Sequence, residues 1–84
     1  MDTMVGIVTH YFDRIGVAVL DLTDELKVGD RILISGHTTD IEQPVSSMEI
    51  DHHKVQSAGP GMEVALLVAD PVHVGDRVYK QVDA

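Results

Sequence analysis

The four residues Val28-Gly29-Asp30-Arg31 recur as Val74-Gly75-Asp76-Arg77 within a chain of 84 residues. Each copy leads into a short apolar run, Ile32-Leu33-Ile34 after the first and Val78-Tyr79 after the second. A Gly-Asp pair ahead of β-branched residues is typical of a turn that begins a strand, because glycine adopts positive φ readily and aspartate bonds to nearby backbone N–H groups. Two such turns in so short a chain predict a compact all-β domain.

The residues around the two copies do not repeat, since the sequences after Arg31 and Arg77 diverge within a few positions. We therefore interpret the copies as two separate strand-initiating turns and not as an internal repeat. Five residues are assigned to structural turns rather than to a binding site: Gly29, Asp30, Gly61, Gly75 and Asp76.

Short apolar segments alternate with turn clusters along the chain, and no window has the i, i+3, i+4, i+7 spacing of an amphipathic helix. We predict one domain over residues 1–84, with six strands at about 5–10, 16–22, 31–35, 45–51, 63–69 and 77–82. Ala58-Gly59-Pro60-Gly61 breaks the chain between the fourth and fifth strands. The second and fifth strands are apolar on both faces, which predicts that a loop, a partner or a second copy covers their outer side.

The chain carries 14 acidic and 6 basic residues, a net charge of −8 with histidine neutral. Non-specific affinity for nucleic acid depends on lysine and arginine, so non-specific DNA binding is not expected. The chain has no cysteine, which excludes disulfides and thiolate nucleophiles. It shows no signal-like segment and no apolar run of membrane-spanning length, so we expect a cytoplasmic protein without membrane contact.

Asp51-His52-His53 is the cluster most similar to a metal site. On an extended strand neighbouring side chains point to opposite faces, so only Asp51 and His53 would share a side. Two such ligands rarely complete a tetrahedral site without a third residue, such as His10 or His37. We expect solvated histidines at a strand end and no metal site, with metal binding by Asp51, His52 and His53 as the alternative.

Sequence motifs of catalysis are missing from the chain. None of its serines lies in a Gly-x-Ser-x-Gly motif, and no Gly-x-x-x-x-Gly-Lys phosphate loop occurs, so GTP is not bound by that route. Carboxylates scattered through turns are usually solvated or capping groups rather than paired acid–base catalysts. We therefore expect no catalytic residues, no cofactor and no enzymatic activity.

An ordered set of motifs extends over nearly the whole chain, from about Met4 to Val82. It comprises Gly6-x-Val8, Leu26-Lys27-Val28-Gly29-Asp30-Arg31-Ile32, Gly36, Val45-x-Ser47-Met48-Glu49-Ile50, Ala58-Gly59-Pro60-Gly61-x-x-Val64-Ala65-Leu66 and Gly75-Asp76-x-Val78-Tyr79. This set resembles the second domain of translational GTPases, the β-barrel of elongation factor Tu and bacterial initiation factor two. Similar barrels also occur at the C-terminus of some collagenase-like peptidases, as accessory modules.

The resemblance implies a small six-stranded antiparallel closed β-barrel, of the translation-protein domain 2 type, with a role in recognition rather than catalysis. In elongation factor Tu one edge of this domain helps to form the pocket for the aminoacylated 3′ end of tRNA. The family's glutamate falls on Glu49, the hydrophobic residue after it on Ile50, and the basic residue that faces phosphate on His52. Only a few residues precede the first predicted strand, where the family has a GTPase domain, so we expect a stand-alone barrel.

We therefore predict a non-catalytic binding module that contacts its partner through residues 36–42, 49–53 and 58–61. The candidate binding residues are His37, Thr38, Glu49, Ile50 and His52. The expected partner is a protein, and a tRNA or ribosome-associated contact is the second expectation. The alternative function is that of an accessory barrel subunit, which docks on a collagenase-like peptidase or on another enzyme.

Overall fold

The computed structural model describes residues 2–82. Ten strands lie in this part of the chain: β1 (Asp2–Phe12), β2 (Val17–Leu22), β3 (Leu26–Lys27), β4 (Arg31–Ser35), β5 (Asp40–Pro44), β6 (Met48–Ile50), β7 (His53–Val55), β8 (Ser57–Ala58), β9 (Glu63–Leu67) and β10 (Arg77–Gln81). Alternating side chains along β2, β4 and β9 are buried, so each of these strands turns one face toward the core. Among the described residues, no helix has the length and apolar character needed to span a bilayer.

Eight of the strands form one antiparallel sheet in the order β5-β4-β10-β1-β2-β9-β6-β7, and β3 pairs separately with β8. The predicted all-β antiparallel fold is confirmed. The predicted closed barrel of six strands is not found, because residues 2–82 form ten strands and the edge strands β5 and β7 do not pair with each other.

A side chain, rather than a strand pairing, links the edge strand β5 to the end of β9. The amide nitrogen of Gln43 donates to the Leu67 carbonyl (2.8 Å), and its amide oxygen accepts from the Ala69 N–H (2.7 Å). A carboxamide carries one donor group and one acceptor, as a peptide unit does. Gln43 therefore satisfies two backbone groups that a neighbouring strand would otherwise have satisfied.

The strand predicted at 45–51 is too long, because only residues 48–50 of that range form a strand, β6. β5 ends at Pro44, and β6 begins at Met48. Between them Val45 is held by the first Val-Gly-Asp-Arg turn instead of by the sheet. Its N–H donates to the Asp30 carbonyl (2.8 Å), and its own carbonyl accepts from the Gly29 N–H (2.9 Å). This long-range contact redirects the chain, so the strand begins at Met48 and not at Val45.

The hydrophobic core is a single cluster of aliphatic side chains. Its largest fully buried members come from β2, β3, β4 and β6: Leu20, Leu26, Ile32, Ile34 and Met48. Burying a side chain of this size stabilises the fold by about 1.5–3 kcal/mol. None of the core residues is aromatic, which accords with an aromatic content of only 4%.

Both Val-Gly-Asp-Arg segments are turns that precede a strand, β4 after the first and β10 after the second. Gly29 has φ 97° and Gly75 has φ 94°, a region that L side chains rarely adopt. Gly61, with φ 84°, lies in the turn ahead of β9. Glycine thus permits the backbone conformation ahead of three of the strands.

Candidate functional site

The candidate site is the outer face of β2 and β9, on the side of the sheet away from the core. Val17 and Val19 lie on this face of β2, and Ala65 and Leu67 lie on the same face of β9, because they alternate with buried residues. The antiparallel register places Val17 opposite Leu67 and Val19 opposite Ala65. The sheet therefore has apolar side chains on both of its sides here.

A groove of about 820 Å³ lies over this outer surface. Its walls are the end of β1 and the following turn, the residue ahead of β9, and the hairpin formed by β6 and β7. Four large apolar side chains of the groove are strongly exposed: Phe12 (50%), Ile15 (65%), Met62 (42%) and Leu67 (49%). The ring of Phe12 also stacks on that of His10, with 6.3 Å between the ring centroids. The groove is thus a concave apolar surface that is open to solvent.

Carboxylates line the groove at Glu49 on β6, Asp51 in the hairpin turn and Glu63 on β9. Lys54 on β7 also lines it, as the cross-strand neighbour of Glu49. None of the three carboxylates forms an ion pair with any residue from 2 to 82. Beyond the groove, the exposed Asp21 lies directly opposite Glu63, and like charges placed in this way repel each other. The rim of the groove is therefore acidic and largely unneutralised.

The hairpin beside the groove contains a strained turn. Ile50 pairs with His53, so Asp51 and His52 alone connect β6 to β7. Their φ angles are 49° and 64°. Two-residue hairpin turns of type I′ need positive φ at both positions and prefer Asn-Gly there. The left-handed conformation costs an L residue about 1–2 kcal/mol, and such strain is frequent at functional sites.

Three of the five predicted binding residues, Glu49, Ile50 and His52, line the groove. The other two, His37 and Thr38, lie in the turn between β4 and β5 and do not line it. The structure therefore brings together the residues that are adjacent in sequence around the β6–β7 hairpin. It does not bring His37 and Thr38 into the same site.

Sequence reasoning missed the apolar part of the groove. Of the three predicted surface segments, only 49–53 contributes to it, and neither 36–42 nor 58–61 does. The signal for its floor was present, since the second and fifth predicted strands are apolar on both faces. Phe12 and Ile15 gave no such signal, because single apolar residues near a turn carry no periodicity.

Neither a metal cluster nor an activated nucleophile is found at the hairpin. Residues 2–82 contain no group of three or more His, Asp or Glu side chains that could hold a metal ion. The expectation that Asp51 and His53 share one side of a strand is wrong, because Asp51 and His52 form the turn. Ser47 and His52 both line the groove, but no hydrogen bond joins them within the described chain. A serine nucleophile needs a base within hydrogen-bond reach.

Comparison with curated proteins identifies relatives that are named as proteases. The chain is 41% identical over 76 residues to an uncharacterized protease of Methanocaldococcus jannaschii, and the match covers 89% of this chain and 19% of that protein. It is 35% identical over 80 residues to a collagenase of Porphyromonas gingivalis, covering 93% of this chain and 22% of the collagenase. The chain spans about a fifth of the length of these relatives. No family model matches it.

The solved structures that are similar to this chain include two crystal structures of one domain. Both show the C-terminal domain of a Geobacillus thermoleovorans protein assigned to the U32 peptidases. Their TM-scores are 0.86 and 0.87 at 18% identity, and they cover 90% and 93% of this chain and 96% and 91% of theirs. The chain has the fold of that C-terminal domain. The resemblance to the second domain of translational GTPases is not shown by these comparisons.

Proposed function

We propose that this chain is a non-catalytic accessory β domain that docks on a collagenase-like peptidase. The proposal applies equally to a separate subunit and to a segment of a longer chain. Its role is to bind the rest of the peptidase, and the peptide-bond chemistry belongs to that other part.

The observation that supports this proposal most strongly is the uneven coverage of the relatives. Similarity at 41% identity extends over 89% of this chain but over only 19% of the Methanocaldococcus protein. The greater part of that protease therefore has no counterpart in these 84 residues. The likeness in fold to a C-terminal domain of a U32 peptidase supports the same assignment.

The character of the groove also favours binding over catalysis. Its floor is aliphatic, and Ser47 and His52, which line it, are not joined by a hydrogen bond. Exposed apolar patches that are bordered by polar residues often mark surfaces for protein–protein contact. A groove of this character suits a protein partner.

The test combines this chain with the Methanocaldococcus protease from which the segment similar to this chain has been deleted. We expect the two to form a stoichiometric complex in sedimentation velocity experiments. We also expect the 84-residue chain alone to leave gelatin intact under conditions in which the Porphyromonas collagenase degrades it. Gelatin hydrolysis by the purified chain, or the lack of any complex, would contradict the proposal.

A contact with tRNA or the ribosome remains a prediction of the translation-factor resemblance. The groove offers Glu49, Asp51 and Glu63 against a single Lys54, and carboxylates repel the phosphate backbone. Filter binding with aminoacyl-tRNA at low salt distinguishes the two functions. Tight binding there would favour the translation-type function over the peptidase-type function.

A further inference from the structure

We propose, resting on the proposed function, that the groove holds an extended segment of the peptidase in which apolar side chains are flanked by lysine or arginine. The apolar side chains lie on Val17, Val19 and Leu67, and the basic groups lie beside Glu49 and Glu63. The segment belongs to the larger part of the peptidase, and not to a second copy of this chain.

The distribution of exposed apolar side chains locates the contact. Four of the seven large apolar residues that are strongly exposed in the described chain line this one groove, namely Phe12, Ile15, Met62 and Leu67. The remaining three, Ile7, Val74 and Val82, do not line it. Burying apolar area releases about 25 cal/mol per Å². The groove is therefore where a partner gains the most apolar contact.

The charges along the rim indicate which charged side chains the bound segment carries. Glu49 and Glu63 have no ion-pair partner between residues 2 and 82, and Asp21 lies directly opposite Glu63. A cation placed near Glu63 would relieve this repulsion and pair with an available carboxylate. Electrostatic complementarity of this kind determines specificity and accelerates association. Lysine or arginine in the segment meets that requirement.

The same charges argue against a second copy as the occupant. Each copy carries a net charge of −8, and its groove is bordered by Glu49, Asp51 and Glu63 against a single lysine, Lys54. Placing two such surfaces together would bring unneutralised carboxylates into contact. A basic segment, in contrast, neutralises them.

The shape of the groove favours an extended segment over a broad surface. Its volume of about 820 Å³ lies within the range of about 300–1,000 Å³ that is usual for small-molecule and cofactor pockets, so it suits a narrow occupant. The floor consists of alternate residues of two paired strands, spaced as the side chains on one face of an extended chain would be. Apolar side chains at alternate positions of the segment would therefore meet the floor.

Ile15→Ser and Val74→Ser form the first matched pair of test variants. Both residues lie in turns, and their exposed fractions are similar at 65% and 71%, but only Ile15 lines the groove. Affinity is measured by isothermal titration against the truncated Methanocaldococcus protease. We expect Ile15→Ser to weaken binding by about tenfold and Val74→Ser by less than about twofold.

Glu63→Lys and Asp40→Lys, which both reverse a charge, form the second matched pair of test variants. Asp40 is exposed at the start of β5 and does not line the groove. We expect Glu63→Lys to weaken binding by about tenfold and to reduce its dependence on salt concentration, while Asp40→Lys leaves both nearly unchanged. Circular dichroism melting curves confirm that each variant is folded.

The outcomes separate this inference from the proposed function. If the wild-type chain forms the complex and neither Ile15→Ser nor Glu63→Lys weakens it, the groove assignment is overturned. The accessory function is still supported in that case. Equal losses for Glu63→Lys and Asp40→Lys show a general charge effect and also overturn the groove assignment. If the chain alone forms a dimer and Ile15→Ser abolishes it, the occupant of the groove is a second copy and the assignment to a basic segment is overturned. If the wild-type chain forms no complex, both proposals fail.

Discussion

The two Val-Gly-Asp-Arg turns place one local sequence in two different environments. In the first turn the Asp30 carboxylate accepts a hydrogen bond from the Lys27 N–H (2.9 Å), and in the second the Asp76 carboxylate accepts one from the His73 N–H (2.8 Å). The backbone bonds agree equally well: Asp30 N–H donates to the Lys27 carbonyl (3.1 Å), and Asp76 N–H donates to the His73 carbonyl (3.0 Å). The same four residues therefore give the same local geometry.

The likeness extends to the chain segments against which the turns pack. Gly29 N–H donates to the Val45 carbonyl (2.9 Å), and Gly75 N–H donates to the Val8 carbonyl (2.8 Å). In each case the N–H of that valine donates in return to the carbonyl of the turn's aspartate (2.8 Å). Val45 and Val8 are both buried, so each turn fixes one core residue through a pair of backbone hydrogen bonds.

Burial is what distinguishes the two turns. Asp76 is only 5% exposed, whereas Asp30 is partly exposed. The valines show the opposite trend, since Val28 packs against the core and Val74 is 71% exposed. Local chemistry thus determines the conformation of both turns, while tertiary packing decides which of their residues contribute most to stability.

Gly36→Ala is expected to have the largest effect, and it acts on the second turn alone. A Cβ at Gly36 would overlap the Asp76 carboxylate, which is held by its bond to the His73 N–H. We expect the free energy of unfolding in urea to fall by about 3 kcal/mol, because the carboxylate must leave its buried position or the backbone must shift. In an Asp76→Ala background the same change should cost less than about 1 kcal/mol. Equal costs in both backgrounds would contradict this explanation.

Replacing the aspartate of each turn, Asp76 or Asp30, should lower the free energy of unfolding by unequal amounts. Asp76→Ala empties the buried position of that carboxylate and removes the acceptor of the His73 N–H from a part-buried hydrogen bond, and we expect a loss of about 2 kcal/mol. Asp30→Ala frees the Lys27 N–H closer to solvent, and about 1 kcal/mol is expected. Asp76→Asn keeps an acceptor oxygen and should recover part of the loss. Urea denaturation curves that show equal losses for the two alanine variants would mean that burial does not distinguish the turns.

The parts of the fold that depend on local chemistry could be predicted from the sequence. Glycine ahead of aspartate indicated the turns before β4 and β10, and the all-β class followed. The late start of the strand expected at 45–51 could not be predicted, because Val45 is hydrogen-bonded to Gly29 and Asp30 by contacts between distant segments. The Asp51–His52 turn was also hidden, since neither residue is the glycine that positive φ usually requires.

The candidate site was predictable only along one of its edges. The family resemblance predicts Glu49, Ile50 and His52 as binding residues, and all three line the groove. It does not predict Met62 and Ile15, because their common location depends on the pairing of β1 with β2 and of β2 with β9. A strand that is apolar on both faces indicates an uncovered surface, but it does not identify the residues around that surface.

Replacing the glycine of either Val-Gly-Asp-Arg turn should lower the free energy of unfolding by the same amount. No atom lies within 4 Å of a Cβ built on Gly29 or on Gly75, so the substitution creates no clash at either position. Only the positive φ opposes a side chain, and we expect Gly29→Ala and Gly75→Ala each to lose about 1–2 kcal/mol in urea denaturation. Gly59→Ala is the control, because that glycine has equally open surroundings without a positive φ. A large difference between the two turn variants would show that their backbones are not equivalent.

The valines should give the smallest effects and the clearest contrast. Val28→Ala removes methyl groups that pack against the core, and we expect a loss of about 1 kcal/mol. Val74→Ala alters a side chain that is 71% exposed, so its free energy of unfolding should stay within about 0.5 kcal/mol of wild type. Equal losses in urea would show that exposure does not separate these two positions. A measurable loss at Val74 would also mean that this side chain has a structural role, and Val74→Ser would then be unsuitable as the control for docking at Ile15.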